Sequence, residues 1–359
     1  MKAKLKPMAL ILQGGGALGA FEYGVVSELV ESGWYPKAVT GVSIGAVNAA
    51  AIAGAKGGDI VASLHGIWEA ITLPQVPFMA PSIQANLSLL GNPNFWTSRT
   101  DYLNVMGWNS LCNTTPMLGT LARHLDFEQL NNPDHIRIGV TATDVQSGRL
   151  TTFSNYIDEA AHPRSGNHHS VHSALTPAHI MASGSLPPGF PATVVDGRAY
   201  WDGALFDNTP MDALLNMLEP EDIANPHFPI FTVDLFPTGD LPVPSNLVDV
   251  QTRTTTLQFQ NRFWDEYGGS GGMQGFIDML DELERVGKDS KLNEMPAFQW
   301  LMRQRALKQL QVIQGPTFVS GGDHDFSTYG VRQRYDAGRE AAATHVRRMA
   351  QAGTLAKAA

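Results

Sequence analysis

The chain is poor in cysteine, in charge and in long apolar runs. Cys112 is the only cysteine among 359 residues. No intrachain disulfide can form, so nothing points to an oxidising compartment. No histidine-bearing motif accompanies Cys112, which reads as a small packing residue rather than a nucleophile. Charged residues make up 16% and the net charge is −9. That balance excludes a broad electrostatic footprint for nucleic acid. It also opposes simple attraction to an anionic membrane, unless a local basic or apolar patch overrides it. No stretch approaches the roughly 20 apolar residues that span a bilayer. The N-terminal MKAKLKPMALILQGGG places lysines before an apolar run, the outline of a signal peptide. However, the run from Met8 to Leu12 is shorter than the usual core of about 7–15 residues and leads straight into glycines, with no small-residue cleavage site. It reads as a first buried strand. The expectation is a soluble, cytoplasmic protein, at most peripheral to a membrane.

What is present suits an ordered globular fold. Hydrophobic residues make up 43%, and the length suffices for a full core. Residues 8–13 (MALILQ) suggest a strand buried on both faces. Phe21, Val25, Leu29 and Val30 then lay one stripe along a helix, with Gly33 as its stop. Ala38–Gly41 reads as a second strand and Ile44–Ala55 as an alanine-rich helix. This alternation implies a parallel sheet covered by helices. Residues 73–120 lose the period and read as an insertion with short helices or loops, either a lid or wall of a binding cleft or a plain structural excursion. Ile136–Thr143 and Leu150–Phe153 read as partner strands across a turn at Ser147-Gly148. His162–His172 reads as a polar loop, Pro177–Ser183 as a short helix, and V-V-D-G-R-A-Y-W as a hairpin. Phe228–Leu235 is the last strong core strand expected. Beyond about residue 245 the chain looks mostly helical, ending in Val331–Ala350. The expected division is a catalytic domain over 1–240 and a mainly helical extension over 241–359 packed on it.

Three motifs bear on chemistry. Gly41-Val42-Ser43-Ile44-Gly45 has the G-x-S-x-G form of a nucleophile elbow and lies between an expected strand and an expected helix. In that turn the flanking glycines avoid clashes, and the serine sits at a helix N-terminus that favours developing negative charge. Gly14-Gly15-Gly16-Ala17-Leu18-Gly19 also follows a strand and opens a helix, so its amides can point at an anion. It matches G-x-G-x-x-G, but a dinucleotide site needs an acidic residue at the end of the second strand. That strand instead ends Val39-Thr40-Gly41 and runs into the serine. No Gly-Lys-Ser/Thr follows, so a Walker loop is also excluded. Asp202-Gly203-Ala204 reads by itself as an ordinary turn. His324, in G-G-D-H-D-F, remains a candidate base. His168, His169 and His172 form a histidine cluster, but no carboxylate or cysteine stands at ligand spacing, so no metal is expected. No cofactor is expected either.

Taken together, these blocks resemble the patatin-like phospholipase family across most of residues 8–235. The resemblance rests on glycines 14–16, G-V-S-I-G at 41–45, T-A-T-D-V-Q-S-G at 141–148, A-S-G-S-L-P-P-G-F-P at 182–191 and D-G-A at 202–204. P-N-F-W at 93–96, and D-F-S at 325–327 before Arg332 and Arg334, look like a bacterial subgroup with a C-terminal extension. The resemblance implies a three-layer α/β/α fold with a mainly parallel sheet. It also implies a Ser–Asp dyad without histidine. Ser43 would be the nucleophile, Asp202 its base, and the Gly14, Gly15 and Gly16 amides the oxyanion hole, with Gly41, Gly45 and Gly203 as motif glycines. The implied activity is acyl-ester hydrolysis of a lipid or similar ester through an acyl-enzyme, with transient membrane-surface contact allowed. The same dyad serves an acyltransferase, and a non-catalytic lipid-binding module is the other alternative. One departure is Leu18, where many family members carry arginine. Its absence removes an attraction for an anionic head group.

Overall fold

Strand β1 (Lys6–Leu12) passes from exposed at Lys6 to fully buried from Met8 onward. Its side chains alternate between two cores, as a strand's period of two requires. Met8, Leu10 and Leu12 face one core with Phe21, Ile52 and Trp68. Ala9 and Ile11 face the other, with Leu214, Phe228 and Ile277. A strand buried on both faces places the sheet between two helical layers. This is the expected three-layer α/β/α architecture with a mainly parallel sheet.

The computed structural model describes residues 5–156, 168–236, 240, 243–245, 247–260, 272–287, 291–316 and 322–358. β1 pairs in parallel with β2 (Trp34–Val42) on one side and β11 (Ile230–Asp234) on the other. β6 (Arg137–Asp144) lies outside β2, and β12 (Leu310–Gln314) outside β11, both parallel. Helix α1 (Gly19–Glu31) joins β1 to β2, and α2 (Ile44–Ala53) leaves β2. Every residue of α2 is buried, which its small side chains permit. β7 (Leu150–Ser154) runs antiparallel to β6. The hairpin β9 (Thr193–Val195) and β10 (Arg198–Asp202) also joins β6 antiparallel, through β10.

Three readings of the sequence differ from the structure: the stretches around β8 and β12, and the small sheet within 73–120. β8 (His168–His172) is a strand, parallel to β7, where a polar loop was expected. β7 has a free edge there, and an outer strand tolerates polar side chains. The remainder of the expected loop, residues 162–167, lies outside the described residues. β12 was also not expected. Its LQVIQ pattern carries glutamines between apolar residues, so it lacks the continuous apolar run of a central strand. Through β12, the segment beyond residue 241 extends the same sheet. The C-terminal helix Thr328–Ala358 packs on α1. Gly24 meets the Tyr335 carbonyl and Gly338 the Phe21 carbonyl, with no room for a Cβ at either crossing. Arg339 joins the pair to Glu28 at 2.7 Å and to Glu31 at 2.5 Å.

The stretch 73–120 forms a small three-stranded sheet: β3 (Gly91–Asn92), β4 (Trp96–Ser98) and β5 (Cys112–Asn113). Short helices surround it. Phe95 and Trp96 root it in an aromatic cluster with Phe190 and Phe326, ring centroids 5.5–5.8 Å apart across the joint.

Candidate active site

The site is built on β6, which is buried along its whole length. β7 occupies one edge of β6. The other edge is shared by β2 and β10, which approach from opposite directions. Val42, at the end of β2, pairs with Thr141. Asp202, at the end of β10, pairs with the next residue, Ala142. The two strand ends therefore meet at adjacent rungs, and Ser43 and Asp202 face each other across the junction.

Ser43 adopts φ 55° and ψ −125°, a sparsely populated conformation for a residue with a side chain. It caps α2, so its hydroxyl stands at a helix N-terminus. The motif glycines make this turn possible. A side chain at Gly45 would lie 2.5 Å from the Leu12 carbonyl, and one at Gly41 would run into the Gly45 carbonyl. The strain is held by Ser183-Gly184-Ser185, part of the 182–191 block, to which the sequence assigns no role. The Ser43 amide donates to the Ser183 carbonyl and to Ser183 Oγ, both at 3.1 Å. The Asp202 amide donates to the Ser185 carbonyl at 3.0 Å. One short segment thus fixes the backbone of both residues.

Asp202 is 1% exposed. Its Oδ1 accepts from the Ala204 amide at 2.8 Å. Its Oδ2 is buried and has no partner of hydrogen-bond geometry among the described residues. Burial pushes the carboxyl up to about 7, against the opposing effects of the Ala204 amide and the Ser43 hydroxyl. The hydroxyl is thus near enough to act on the carboxyl, although the pair is not aligned as a finished hydrogen bond. A side chain at Gly203 would run into the Thr141 carbonyl, so only glycine lets β10 end this close to β2.

The glycine loop lies against the same junction. A Cβ on Gly14 would come within 2.9 Å of Ser43 Cβ. The Gly14 amide is already engaged, donating to Asn208 Oδ1 at 3.0 Å, while Asn208 Nδ2 donates back to the Gly14 carbonyl at 3.3 Å. Gly15 and Gly16 have no acceptor for their amides among the described residues. Of the three amides expected as donors, that of Gly14 holds the loop, and those of Gly15 and Gly16 make no hydrogen bond among the described residues. Asn208 carries no motif that would have marked it. It follows Asp202 by six positions and reaches the glycine loop only through the fold.

Residues 10–215, more than half of the chain, match the family model described as patatin-like phospholipase. The chain belongs to the patatin-like phospholipase family. A patatin-like domain implies lipid acyl hydrolase activity. Among solved structures, the crystal structure of VipD from Legionella pneumophila is similar, with 14% identity, a TM-score of 0.38, and coverage of 94% of this chain and 67% of that one. No curated protein matches the chain significantly.

The patatin-like site has a buried polar support beneath it. Gln13, before the glycines, donates through Nε2 to Thr209 at 2.7 Å, and its Oε1 accepts from the Leu235 amide at 2.8 Å. The Gln13 amide donates to Glu22 at 2.6 Å, and Asn48 donates to the other Glu22 oxygen at 2.9 Å. Burial raises the Glu22 carboxyl to about 8. The loop before the C-terminal helix braces the glycines from outside. Ala17 donates its amide to the Asp323 carbonyl at 2.7 Å. Arg334 fixes that loop by donating to the Asp325 and Gly322 carbonyls, both at 2.9 Å. His324 lies within this loop, with Nδ1 3.7 Å from Asp323 Oδ1, and makes no hydrogen bond to Ser43 or Asp202 among the described residues. Leu18 is buried in the core beneath the loop. His169 and His172 lie on β8, and His172 Nε2 contacts the Asn155 carbonyl at 3.2 Å. Among the described residues no cluster suited to a metal ion occurs.

A cleft of about 500 Å³ lies between Ala204–Asn208 and the segment from Thr254 to Gln260, and neither Ser43 nor Asp202 lines it. A wider one, of about 930 Å³, is lined by Lys6, Trp34 and Pro229. It lies at the start of the parallel strands, the opposite end from Ser43. Ligands of open α/β sheets bind at the carboxyl ends of the strands, the end at which Ser43 stands. No helix among the described residues is long and apolar enough to cross a membrane.

Proposed function

We propose that the protein hydrolyses lipid acyl esters with Ser43 as nucleophile and Asp202 as its base. The observation that carries this reading is the head-on meeting of β2 and β10, which sets a strained serine against a buried, under-bonded carboxylate. Asp202 takes the Ser43 hydroxyl proton as the oxygen attacks the ester carbonyl. The Gly15 and Gly16 amides hold the developing oxyanion, each donor contributing roughly 2.7–4 kcal/mol in comparable sites. The intermediate collapses, and the leaving alkoxide takes the proton back from Asp202. Water then adds to the acyl-enzyme with Asp202 again as base, releasing the acid and free Ser43. An ordinary aspartate, near 3.9, is a weak base for this purpose. Burial brings Asp202 close to the pH at which a base works best.

Leu18, where many family members carry arginine, makes the acyl-ester chemistry the firmer part of this reading and a phospholipid substrate the softer part. The cleft between Ala204 and Gln260 is the proposed seat of the ester.

A fluorophosphonate probe and a panel of acyl esters test the reading. Wild type labels and turns over; Ser43→Ala does neither; Asp202→Asn is slowed by roughly four orders of magnitude. Undiminished turnover in Ser43→Ala ends the proposal. A fully active Asp202→Asn beside an inactive His324→Ala transfers the base role to histidine. A product that appears only with an added alcohol or thiol reassigns the reaction as acyl transfer.

A further inference from the structure

From Ala70 to Ala122 the only charged residues are Arg99 and Asp101. These two neutralise each other, with Arg99 Nε donating to Asp101 Oδ1 at 3.0 Å and its terminal nitrogen to Oδ2 at 2.6 Å. The same stretch carries a concentration of exposed large apolar side chains. Leu103 and Met106 are 107% and 96% exposed, and Phe78 is 108% exposed. Leu103, Val105 and Met106 stand together on the short 3-10 helix Tyr102–Gly107. Single exposed apolar residues are normal, but a charge-free group of them marks an interaction surface.

The base of this apolar tip has a different chemistry. Tyr102 and Trp108 flank it with ring centroids 5.9 Å apart, and the Arg99 guanidinium lies 5.2 Å over the Trp108 ring. Tyrosine, tryptophan and arginine beneath an apolar tip are the arrangement that suits the boundary between acyl chains and head groups. The tip is also connected to the dyad. The Leu111 amide donates to the Pro188 carbonyl at 3.0 Å and the Cys112 amide to the Gly189 carbonyl at 2.9 Å. Residues 183–185, just before these prolines, hold Ser43 and Asp202.

We infer that the 3-10 helix Tyr102–Gly107 inserts Leu103 and Met106 into the surface of a zwitterionic lipid bilayer and so delivers the enzyme to its substrate. The inference rests on the lipid-ester reading for its purpose, but not for its geometry. Charge selects the lipid class. The patch is neutral and the chain carries −9, so an anionic surface repels the body while a zwitterionic one does not. A lipid surface accepts a convex apolar tip without a preformed pocket, and no charged rim is needed for recognition.

Flotation with pure phosphatidylcholine vesicles tests this, with Leu103→Asp/Met106→Asp as the variant and hydrolysis of dissolved p-nitrophenyl butyrate as a parallel measurement. Wild type floats with the vesicles, and high salt does not release it. The variant partitions roughly 100-fold more weakly, as expected for losing two large apolar groups from the interface. It hydrolyses the dissolved ester at the wild-type rate, which also shows that it is folded. A wild type that stays at the bottom, or a variant that floats equally, overturns the inference. So does a wild-type dimer in light scattering that the variant dissolves, because the patch then covers a second copy. If neither protein cleaves the dissolved ester, the dyad reading fails, and the flotation result still judges the surface.

Discussion

Ser43 and Asp202 stand at the ends of two strands that run toward each other along one edge of β6. Their neighbours on that strand are consecutive residues, with Thr141 opposite Val42 and Ala142 opposite Asp202. Backbone pairing, rather than a flexible loop, fixes the distance between hydroxyl and carboxylate. In the proposed mechanism, orientation of that kind takes the place of a third group to steer the base.

The first prediction concerns pH and rate. In the proposed mechanism Asp202 must be ionised to accept the serine proton, and burial pushes its carboxyl up to about 7. The kcat/KM for a dissolved ester should therefore rise with pH through about 7 and level off above it. An acid limb near 4, the range of an ordinary carboxylate, would show that Asp202 is not the titrating base.

The second concerns pH and stability. Asp202 rises from 3.8 to about 7 on folding, and Glu22 from 4.5 to about 8. Below pH 3.8 both are protonated folded or unfolded, so neither weighs against folding. Between 3.8 and about 8 the unfolded chain releases protons that the folded one retains, and stability falls across that window. Asp202→Asn removes its share of the penalty. At pH 8, chemical denaturation should show the inactive variant more stable than wild type by about 1–3 kcal/mol. Equal stability at pH 8 would mean that the carboxylate is better solvated than its burial implies.

The third concerns Asn208, a positioning residue. Its amide holds Gly14 from both sides and also donates to the Phe259 carbonyl at 3.2 Å. Asn208→Ala leaves the Gly14 amide without its acceptor and loosens the loop that carries Gly15 and Gly16. Fluorophosphonate labelling of Ser43 should slow by roughly 10–100-fold, with kcat falling more than KM rises. Asn208→Asp, which keeps the acceptor and loses the donor, should fall between the two.

The fourth concerns Arg334, which is 1% exposed and spans two loop carbonyls. Arg334→Met leaves both carbonyls without this donor and frees the loop whose Asp323 carbonyl anchors Ala17. Thermal or chemical denaturation should show a loss of about 2–4 kcal/mol, and the labelling rate of Ser43 should fall in the folded variant. An unchanged labelling rate would limit Arg334 to a role in stability.

The legible parts were those with a local physical signature. The apolar run at 8–12, the helical stripe after it and the glycine-flanked serine each follow from nearest-neighbour periodicity and sterics. The Pro177–Ser183 helix and the 193–202 hairpin were legible for the same reason. Less legible were elements whose stability comes from a neighbour. β8 exists because β7 offers it an edge, and β12 because β11 does. Asn208 and Arg334 act on residues distant in sequence, and neither sits in a pattern that names its partner.

By itself the sequence determined that residue 43 is a serine in a strand–turn–helix elbow, because glycine at 41 and 45 and the alanine-rich run after it leave little else. It also set the glycine loop after β1. It did not determine that Asp202 is more than a turn residue; only the resemblance to a family suggested that. What the tertiary structure adds is its burial beside Ser43, through antiparallel pairing on β6. Burial there removes water from the carboxyl and raises its proton affinity, and desolvation is a property of the folded surroundings that no local stretch of sequence encodes. The same surroundings separate the three glycine amides: Gly14 donates to Asn208, while Gly15 and Gly16 have no acceptor among the described residues.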